Sequence, residues 1–397
     1  MMHPSEEIFC EKSSRLRGKT IVLGITGSIA ATECFSVIRE LVRHGAKVIP
    51  VMTPSAVKLV APDAIEFASG VKPIVELTGQ TEHVTYLGDA SAADLFLVYP
   101  ATANTISKMA LGIDDTAVTS MATIALGGRI PVAVAPAMHE LMLDNPAVSK
   151  NLKTLKEWGV HVIGPHRDGT RARAASKEEI VSWAIKLLSK NDLFGRSILV
   201  IGGRSEEPID SMRIITNRSS GNMALALAKR AFERGAEAEL WMGGCSVALP
   251  GFMKIKRFSS VSDLVEMVDG IGHDIVIVPA ALADFTPSEE VEGKIPSGKS
   301  FDVRLDPVPK ILPLVRKRCK NVIGFKAESG LTLEELEKRA RARMEEHDLR
   351  AVVANDIDNA GKTTSSVILI TGGKSKNITG TKVEISDEIL DYCAEML

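Results

Sequence analysis

Residues 213–241 read RIITNRSSGNMALALAKRAFERGAEAELW. Met223, Leu225, Leu227, Ala228 and Phe232 recur close to helical spacing, which predicts an amphipathic helix over 222–234. Gly235 stands where a left-handed residue ends a helix, and 238–242 then reads as a strand. The run before the helix, Thr216 to Gly221, is rich in hydroxyls and amides. Free backbone N–H groups and the helix dipole at such a start attract phosphate or carboxylate. An N-cap on an ordinary core helix reads much the same, so the rest of the chain must decide.

Upstream, 197–201 (SILVI) is an apolar strand, and 192 marks the point where a strand–helix alternation restarts. Before that point the first half follows the same plan. TIVLGI (20–25) is a strand of the kind buried on both faces of a parallel sheet, and it runs into a Gly27–Ser28 turn, a helix, a stop at Gly45 and a strand over 47–52. The turn reads equally as a plain structural turn or as a phosphate site; it lacks the second and third glycines of G-x-G-x-x-G, so as a site it fits a monophosphate such as FMN better than NAD. Strands over 94–99 and 131–135 end in PATAN and PAMH, and a short strand over 160–163 leads into a basic loop, 164–177. Polar or Gly/Pro loops at successive strand ends mark the rim where α/β sheets hold ligands.

In the second half, 274–278 is an apolar strand ending in PAALADFTP. The stretch EGKIPSGKSFDVRLDPVPKIL that follows has no periodicity and reads as a mobile flap. A strand over 321–325, a charged helix over 331–347, a strand over 349–354 ending in ANDID, and a hairpin with a terminal helix after 367 complete the chain. The fold class is therefore α/β, with two tandem doubly wound Rossmann-like domains over 19–190 and 191–397. Residues 1–18 are polar, lack a signal-peptide core and read as a loose arm.

Composition narrows the function. Apolar residues at 45% and charged residues at 25% describe a globular chain, and 397 residues are enough for two or three domains. A net charge of −2 argues against general binding to nucleic acid or membrane surfaces. The five cysteines form no C-x-x-C pair, so neither zinc nor a disulfide framework is expected, and a reducing cytoplasm fits. No apolar run is long enough to span a membrane.

Several motifs together carry a resemblance. They are GSIAA (27–31), His83 ahead of ADLFLVYPATAN, PAMHELM (136–142), EPID (207–210), RIITNRSSGNM (213–223), AALADF (280–285), Lys294, GFKAE (324–328) and AND (354–356). Over nearly its whole length the chain resembles the bifunctional phosphopantothenoylcysteine decarboxylase / phosphopantothenate–cysteine ligase family of coenzyme A synthesis. That resemblance implies a flavodoxin-like FMN-binding half followed by a nucleotide-binding ligase half. In the ligase half, CTP would activate the phosphopantothenate carboxylate as an acyl-cytidylate, with Mg²⁺ assisting, and the amine of cysteine would displace CMP. In the flavin half, transient oxidation of the cysteinyl thiol would allow loss of CO₂ and yield phosphopantetheine with no net redox change.

The resemblance also assigns residues. His83 matches the catalytic histidine of the decarboxylase, and an imidazole suits general-base work near neutral pH. Asn217 matches the asparagine that resolves the acyl intermediate, and Lys294 stands on the flap within reach of phosphate. Gly27, Ser28, Ile29, Thr53, Ala101, Thr102, Asn104 and Ser120 fall at FMN positions. Pro136, Ala137, Met138, His139, Ser219, Ser220 and Gly221 fall at substrate positions. Ala280, Asp284, Lys294, Pro309, Lys310, Phe325, Arg343 and His347 fall at nucleotide positions, and no metal ligands are assigned. Homo-oligomers are implied, with flavin halves as trimers or higher assemblies and ligase halves as dimers.

The chain departs from the bacterial pattern at three places. His139 replaces the asparagine of PAMN, although imidazole can still donate to a carboxylate. The 164–177 loop has no cysteine to act as proton donor, leaving His166, Arg173 or Lys177. Arg204 stands where relatives usually carry Gly or Pro. Other readings are an active ligase fused to a flavin-binding half with lost or altered decarboxylase activity, a first half that only binds, and a tandem NAD(P) oxidoreductase. The missing G-x-G-x-x-G disfavours the last.

Overall fold

A computed structural model describes residues 3–89, 92–168, 171–298, 300–356 and 364–396, so the end of ANDID lies outside the described residues. The chain divides into two compact units, Met1–Lys190 with Pro250–Phe252, and Asn191–Leu249 with Met253–Leu397. In the first unit, strands β1 (Thr20–Ile25), β2 (Lys47–Met52), β3 (Leu95–Ala101), β4 (Val132–Pro136) and β5 (His161–Val162) are all parallel. Their order is β2-β1-β3-β4-β5, the flavodoxin arrangement. Successive side chains of β1 alternate between two cores, as a pleated strand requires. Ile21, Leu23 and Ile25 pack with Val37, Ile38 and Leu41 of helix Cys34–Arg43, while Val22 packs with Phe96, Met109 and Met121 on the other face.

The arm is not loose. It starts with a short helix, Pro4–Glu7, and Leu16 is fully buried. Backbone N–H groups of Cys10, Lys12 and Leu16 donate to the carbonyls of Val42 (3.3 Å), Arg43 (3.0 Å) and His44 (2.8 Å). Those carbonyls lie at the C-terminal end of helix Cys34–Arg43, where Val42 also accepts from Gly45 N–H (2.8 Å), and the arm adds donors for all three. One leucine and a row of backbone bonds leave no periodic trace, which is why polarity misled the sequence reading.

The second unit is built on β6 (Ser197–Gly202), β7 (Glu237–Met242), β8 (Lys254–Arg257), β9 (Ile275–Val278), β10 (Val322–Glu328), β11 (Ala351–Asp356), β12 (Thr364–Thr371) and β13 (Ser375–Thr381). They lie in the order β8-β7-β6-β9-β10-β11-β12-β13. Six strands are parallel, and the hairpin of the tail adds two antiparallel ones. Helix Asn222–Glu233 stops as its sequence predicts, with Gly235 at φ +99°. It is tied to the last helix, Lys382–Glu395, by Arg230 on Asp387 (2.7 Å). Just past its end, Arg234 pairs with Asp391 (2.8 Å).

Glu239 on β7 is buried among cations. Its carboxylate accepts from Trp241 Nε1 (2.7 Å) and pairs with Lys256 (3.1 Å) and Lys254. Burial opposes its charge, but the bonds from Lys254, Trp241 and Lys256 win and hold the group down to about 2. Because the folded value lies below the unfolded one, this stabilisation is complete above about pH 4.5 and lost as pH falls toward 2. It is worth up to about 3 kcal/mol. Across that window the wild type is expected to lose more stability than Glu239→Gln in urea titrations; parallel profiles for the two would contradict the assignment.

Candidate functional site

In the first unit the carboxyl ends of β1, β2, β3 and β4 form one rim, because the strands run parallel. Each ends at the start of a helix whose N-cap is a side chain from the predicted set. Ser28 caps Ile29–Glu33, Thr53 caps Pro54–Val57, Thr102 caps Ala103–Leu111 and His139 caps Glu140–Leu143. Thr26, which the sequence reading missed, joins two of these ends. Its hydroxyl donates to the Pro100 carbonyl (2.6 Å) and accepts from the Thr102 N–H (3.1 Å). Thr53 N–H donates to Ile25 (3.0 Å), and Ala137 N–H to Ala101 (3.0 Å), so the rim is bonded from β2 across to β4. A Cβ on Gly27 would lie 2.5 Å from Ser55 Cβ, so the turn approaches the next helix more closely than any side chain allows.

The other predicted residues are placed less uniformly. Asn104 is exposed in the first turn of its helix, and Ile29 is 75% exposed beside the Ser28 cap. Met138 is half-buried against the core, with Pro136 and Ala137 buried. Ser120 lies within helix Ala117–Gly127, not at a strand end, and its hydroxyl bonds Asp114 and the Thr116 carbonyl (3.1 Å).

His83 sits in the first turn of helix Glu82–Leu87, directly after Thr81, whose φ of +49° is unfavourable for a β-branched residue. Its Nδ1 is buried and has no hydrogen-bond partner among the described residues. Such a nitrogen is costly unless a ligand completes it. His139 accepts from Leu141 N–H through Nδ1 (3.2 Å), so its neutral ring carries the proton on Nε2, on an exposed side chain. In the loop after β5, the stretches His166–Asp168 and Arg171–Arg173 pair as a small ribbon. His166 Nε2 lies 2.7 Å from Glu179, whose carboxyl is raised by burial even against the pull of His166.

In the second unit, the loop ahead of helix Asn222–Glu233 is fastened from three sides. Thr216 donates to the Ser205 carbonyl (2.6 Å), Asn217 Nδ2 to the Ala281 carbonyl (3.1 Å), and Arg204 Nη1 to the Ser219 carbonyl (3.0 Å). Ser220 accepts from the Asn222 side chain (3.0 Å), and Gly221 at φ +81° precedes the helix. Ala280 is half-buried at the end of β9. The motif EPID, singled out in the sequence without a role, now has one. Glu207 accepts from Val261 N–H (3.0 Å), at the start of the helix Val261–Met267.

Asp210 accepts from Ile295 N–H (3.0 Å), Met212 N–H and Arg213 N–H, and these bonds, led by Ile295, hold its carboxyl down to about 2. Arg213 in turn bonds the Ile295 carbonyl (3.2 Å). The expected flap is therefore anchored beside Lys294, and its base is a ribbon, Phe285–Pro287 against Leu305–Pro307.

Asp284 pairs with Lys310 (2.5 Å), both exposed, and Pro309 is exposed beside them. Burial pushes His347 below its ordinary value, with Arg343 and Lys310 adding to the shift and Glu346 opposing it. Arg343 Nε is buried without a partner among the described residues. Phe325 is half-buried, and by strand alternation it faces away from Lys326, which pairs with Glu328 (2.9 Å). Among the described residues no group of three or more His, Cys, Asp or Glu side chains could hold a metal ion. No helix among them is long and apolar enough to cross a membrane.

Fold and rim together define a tandem protein: a flavodoxin-type sheet with an anion-ready edge, then a Rossmann-like sheet with a clamped loop. Comparison with known proteins gives this class its family. Residues 10–189 match the family described as Flavoprotein, and 193–397 match the DNA/pantothenate metabolism flavoprotein C-terminal domain. The chain is 42% identical to the coenzyme A biosynthesis bifunctional protein CoaBC of Thermococcus kodakarensis, over all of both chains. It is 34% identical to the CoaBC protein of Methanocaldococcus jannaschii, over 100% of this chain and 98% of that one. The CoaBC protein of Vibrio cholerae is also 34% identical, over 88% of this chain and 90% of its own. The chain belongs to the family of coenzyme A biosynthesis bifunctional proteins.

Proposed function

We propose that the chain ligates 4'-phosphopantothenate to cysteine at the expense of CTP and then decarboxylates 4'-phosphopantothenoylcysteine to 4'-phosphopantetheine. The observation that carries this reading is the gathering of the motifs at the strand ends of two sheets, with His83 left unsatisfied in one and Arg343 in the other. In the second unit, Asp284, Lys310, Arg343, His347 and the flap residue Lys294 hold the nucleotide, and the 217–222 loop at the helix start meets phosphate. Asn217, held by Ala281, orients the activated acyl group for attack by the cysteine amine. Magnesium arrives with the nucleotide phosphates, which it usually binds through their oxygens and a few waters.

In the first unit the Gly27 cradle and the hydroxyl caps fit the phosphate of FMN, with Gly27, Ser28, Thr53 and Thr102 holding it. When bound, FMN supplies the reversible electron transfer that the decarboxylation needs. His83 removes a proton from the substrate, and His139 donates from Nε2 to the departing carboxylate. His166, backed by Glu179, is the proton donor we assign in place of the missing loop cysteine: Arg173 cannot give up a proton, and Lys177 is exposed on the first turn of its helix. A cytoplasmic homo-oligomer belongs to the same proposal.

Gly27→Ala tests the cradle. The added methyl must push the Ser55 turn aside, at about 1–3 kcal/mol, and the displaced rim is expected to raise flavin Kd roughly ten- to a hundredfold. Flavin fluorescence titration reads it, and unchanged affinity would remove Gly27 from the site.

The whole reading is tested by mass spectrometry of products from phosphopantothenate, cysteine, CTP and Mg²⁺. Phosphopantetheine supports both activities, and a halt at phosphopantothenoylcysteine supports the second reading, an active ligase with an altered decarboxylase half. The thiol-free loop favours that second reading. No product with CTP or ATP would overturn the ligase.

A further inference from the structure

Arg204 departs from the usual residue at its position, and the structure shows what it touches. Gly203, at φ +81°, turns the chain out of β6. The Arg204 backbone is then fixed on both sides: its N–H donates to Gly244 (2.9 Å) and its carbonyl accepts from Gly244 N–H (2.8 Å). Its guanidinium makes two contacts. Nη2 lies 3.2 Å from Glu206 Oε1, and Nη1 donates to the Ser219 carbonyl at 3.0 Å. The Glu206 carboxylate occupies the space beside Gly244, where a Cβ would lie 2.1 Å from Oε1. Glu206 is itself placed by backbone bonds, its N–H donating to Ser259 (2.9 Å) and its residue pairing with Thr216 at the entrance of the loop.

The contact with Ser219 matters because of what a carbonyl does at an anion site. An oxygen dipole turned toward a phosphate repels it, whereas the amide of the next residue attracts it. A trans peptide is planar, so its C=O and N–H point in opposite directions. Holding the Ser219 carbonyl on the Arg204 guanidinium therefore turns the Ser220 N–H to the other side of the loop, away from Arg204. Glu206 keeps the guanidinium from swinging out, and the pair is only a quarter exposed.

We infer that Arg204 is a positioning residue that presets the peptide plane of Ser219–Ser220 for a phosphate-bearing ligand, with Glu206 as its brace. This rests on the reading of residues 216–222 as the phosphate-binding loop of the ligase half. The phosphate belongs either to the nucleotide or to the phosphorylated acid, and kinetics separates the two.

Arg204→Met, Arg204→Lys and Glu206→Gln, each confirmed folded by its melting temperature, are compared with the wild type in two measurements. The first is hydrogen exchange of the amides of 219–222 in the unliganded protein. Loss of a charged hydrogen bond is expected to speed exchange roughly tenfold or more in Arg204→Met, less in Glu206→Gln, with partial rescue in Arg204→Lys. The second is steady-state ligation with nucleotide and phosphorylated acid varied separately. The KM for one of them is expected to rise roughly tenfold in Arg204→Met while kcat stays within about twofold. The substrate whose KM moves owns the phosphate. Unchanged exchange overturns the inference whatever the kinetics, and so does a fall in kcat with both KM values unmoved. If the wild type performs no ligation, the functional reading fails, and exchange alone still decides the role of Arg204.

Discussion

His83→Gln is expected to lower decarboxylation by about 10²–10⁴-fold, the usual contribution of a positioned acid–base group. Phosphopantothenoylcysteine then accumulates in a coupled assay, while flavin content and the rate of ligation stay at wild-type levels. Glutamine is the stringent choice because it keeps polar contacts and much of the volume but cannot carry a proton at neutral pH. The expectation rests on the setting of His83 more than on its identity. The residue begins a short helix behind a threonine held at φ +49°, and its Nδ1 is buried with no partner among the described residues. A buried histidine nitrogen usually has a bond, and this one is open to a ligand. A second readout is the pH profile: the acid limb of kcat/KM follows protonation of the base and disappears in the variant. Decarboxylation at the wild-type rate in His83→Gln would remove this residue from the chemistry, and loss of flavin would reassign it to binding.

The sheet strands were legible because burial on both faces forces continuous apolar runs. TIVLGI and SILVI cannot be much else, and the glycine after each helix gives the period of the alternation. The proposed site positions were legible where strand ends carry Gly, Pro and hydroxyls. The features that escaped are those made by contacts distant in sequence. Leu16 is one apolar residue in a polar run, and its burial depends on carbonyls of a helix 26 to 28 residues further on. Thr26 sits one residue from the Gly27–Ser28 turn, yet its role comes from Pro100 and Thr102. Asp210 reads as part of a motif, but its work is to grip the backbone at Ile295, inside a segment that looked merely mobile. Lys310 stands at a helix start, and Arg343 and His347 at the end of another helix, so spacing in the sequence alone could not group them.

Asn217 offers the other large effect. Its side chain donates to the Ala281 carbonyl at 3.1 Å, which fastens the ITN loop to the end of β9 and leaves the amide one further N–H to offer a ligand. Asn217→Ala removes both donors. Ligation is expected to fall by about 10²–10³-fold, the cost of one lost oxyanion-type donor, with the loss in kcat. Because the nucleotide contacts proposed for Lys310 and Arg343 remain, activation is expected to proceed: one equivalent of pyrophosphate is released in a burst and the acyl-nucleotide persists, seen by mass spectrometry after quenching. Asn217→Asp behaves differently. A carboxylate facing the Ala281 carbonyl replaces attraction with repulsion, frees the loop and adds negative charge where phosphate approaches. Its expected signature is a raised KM for the phosphate-bearing substrates and no burst. The two variants thus separate the roles. A burst in alanine with none in aspartate places Asn217 at the second half-reaction on a loop that must first bind phosphate. Equal loss in both, without a burst in either, would confine the residue to holding the loop.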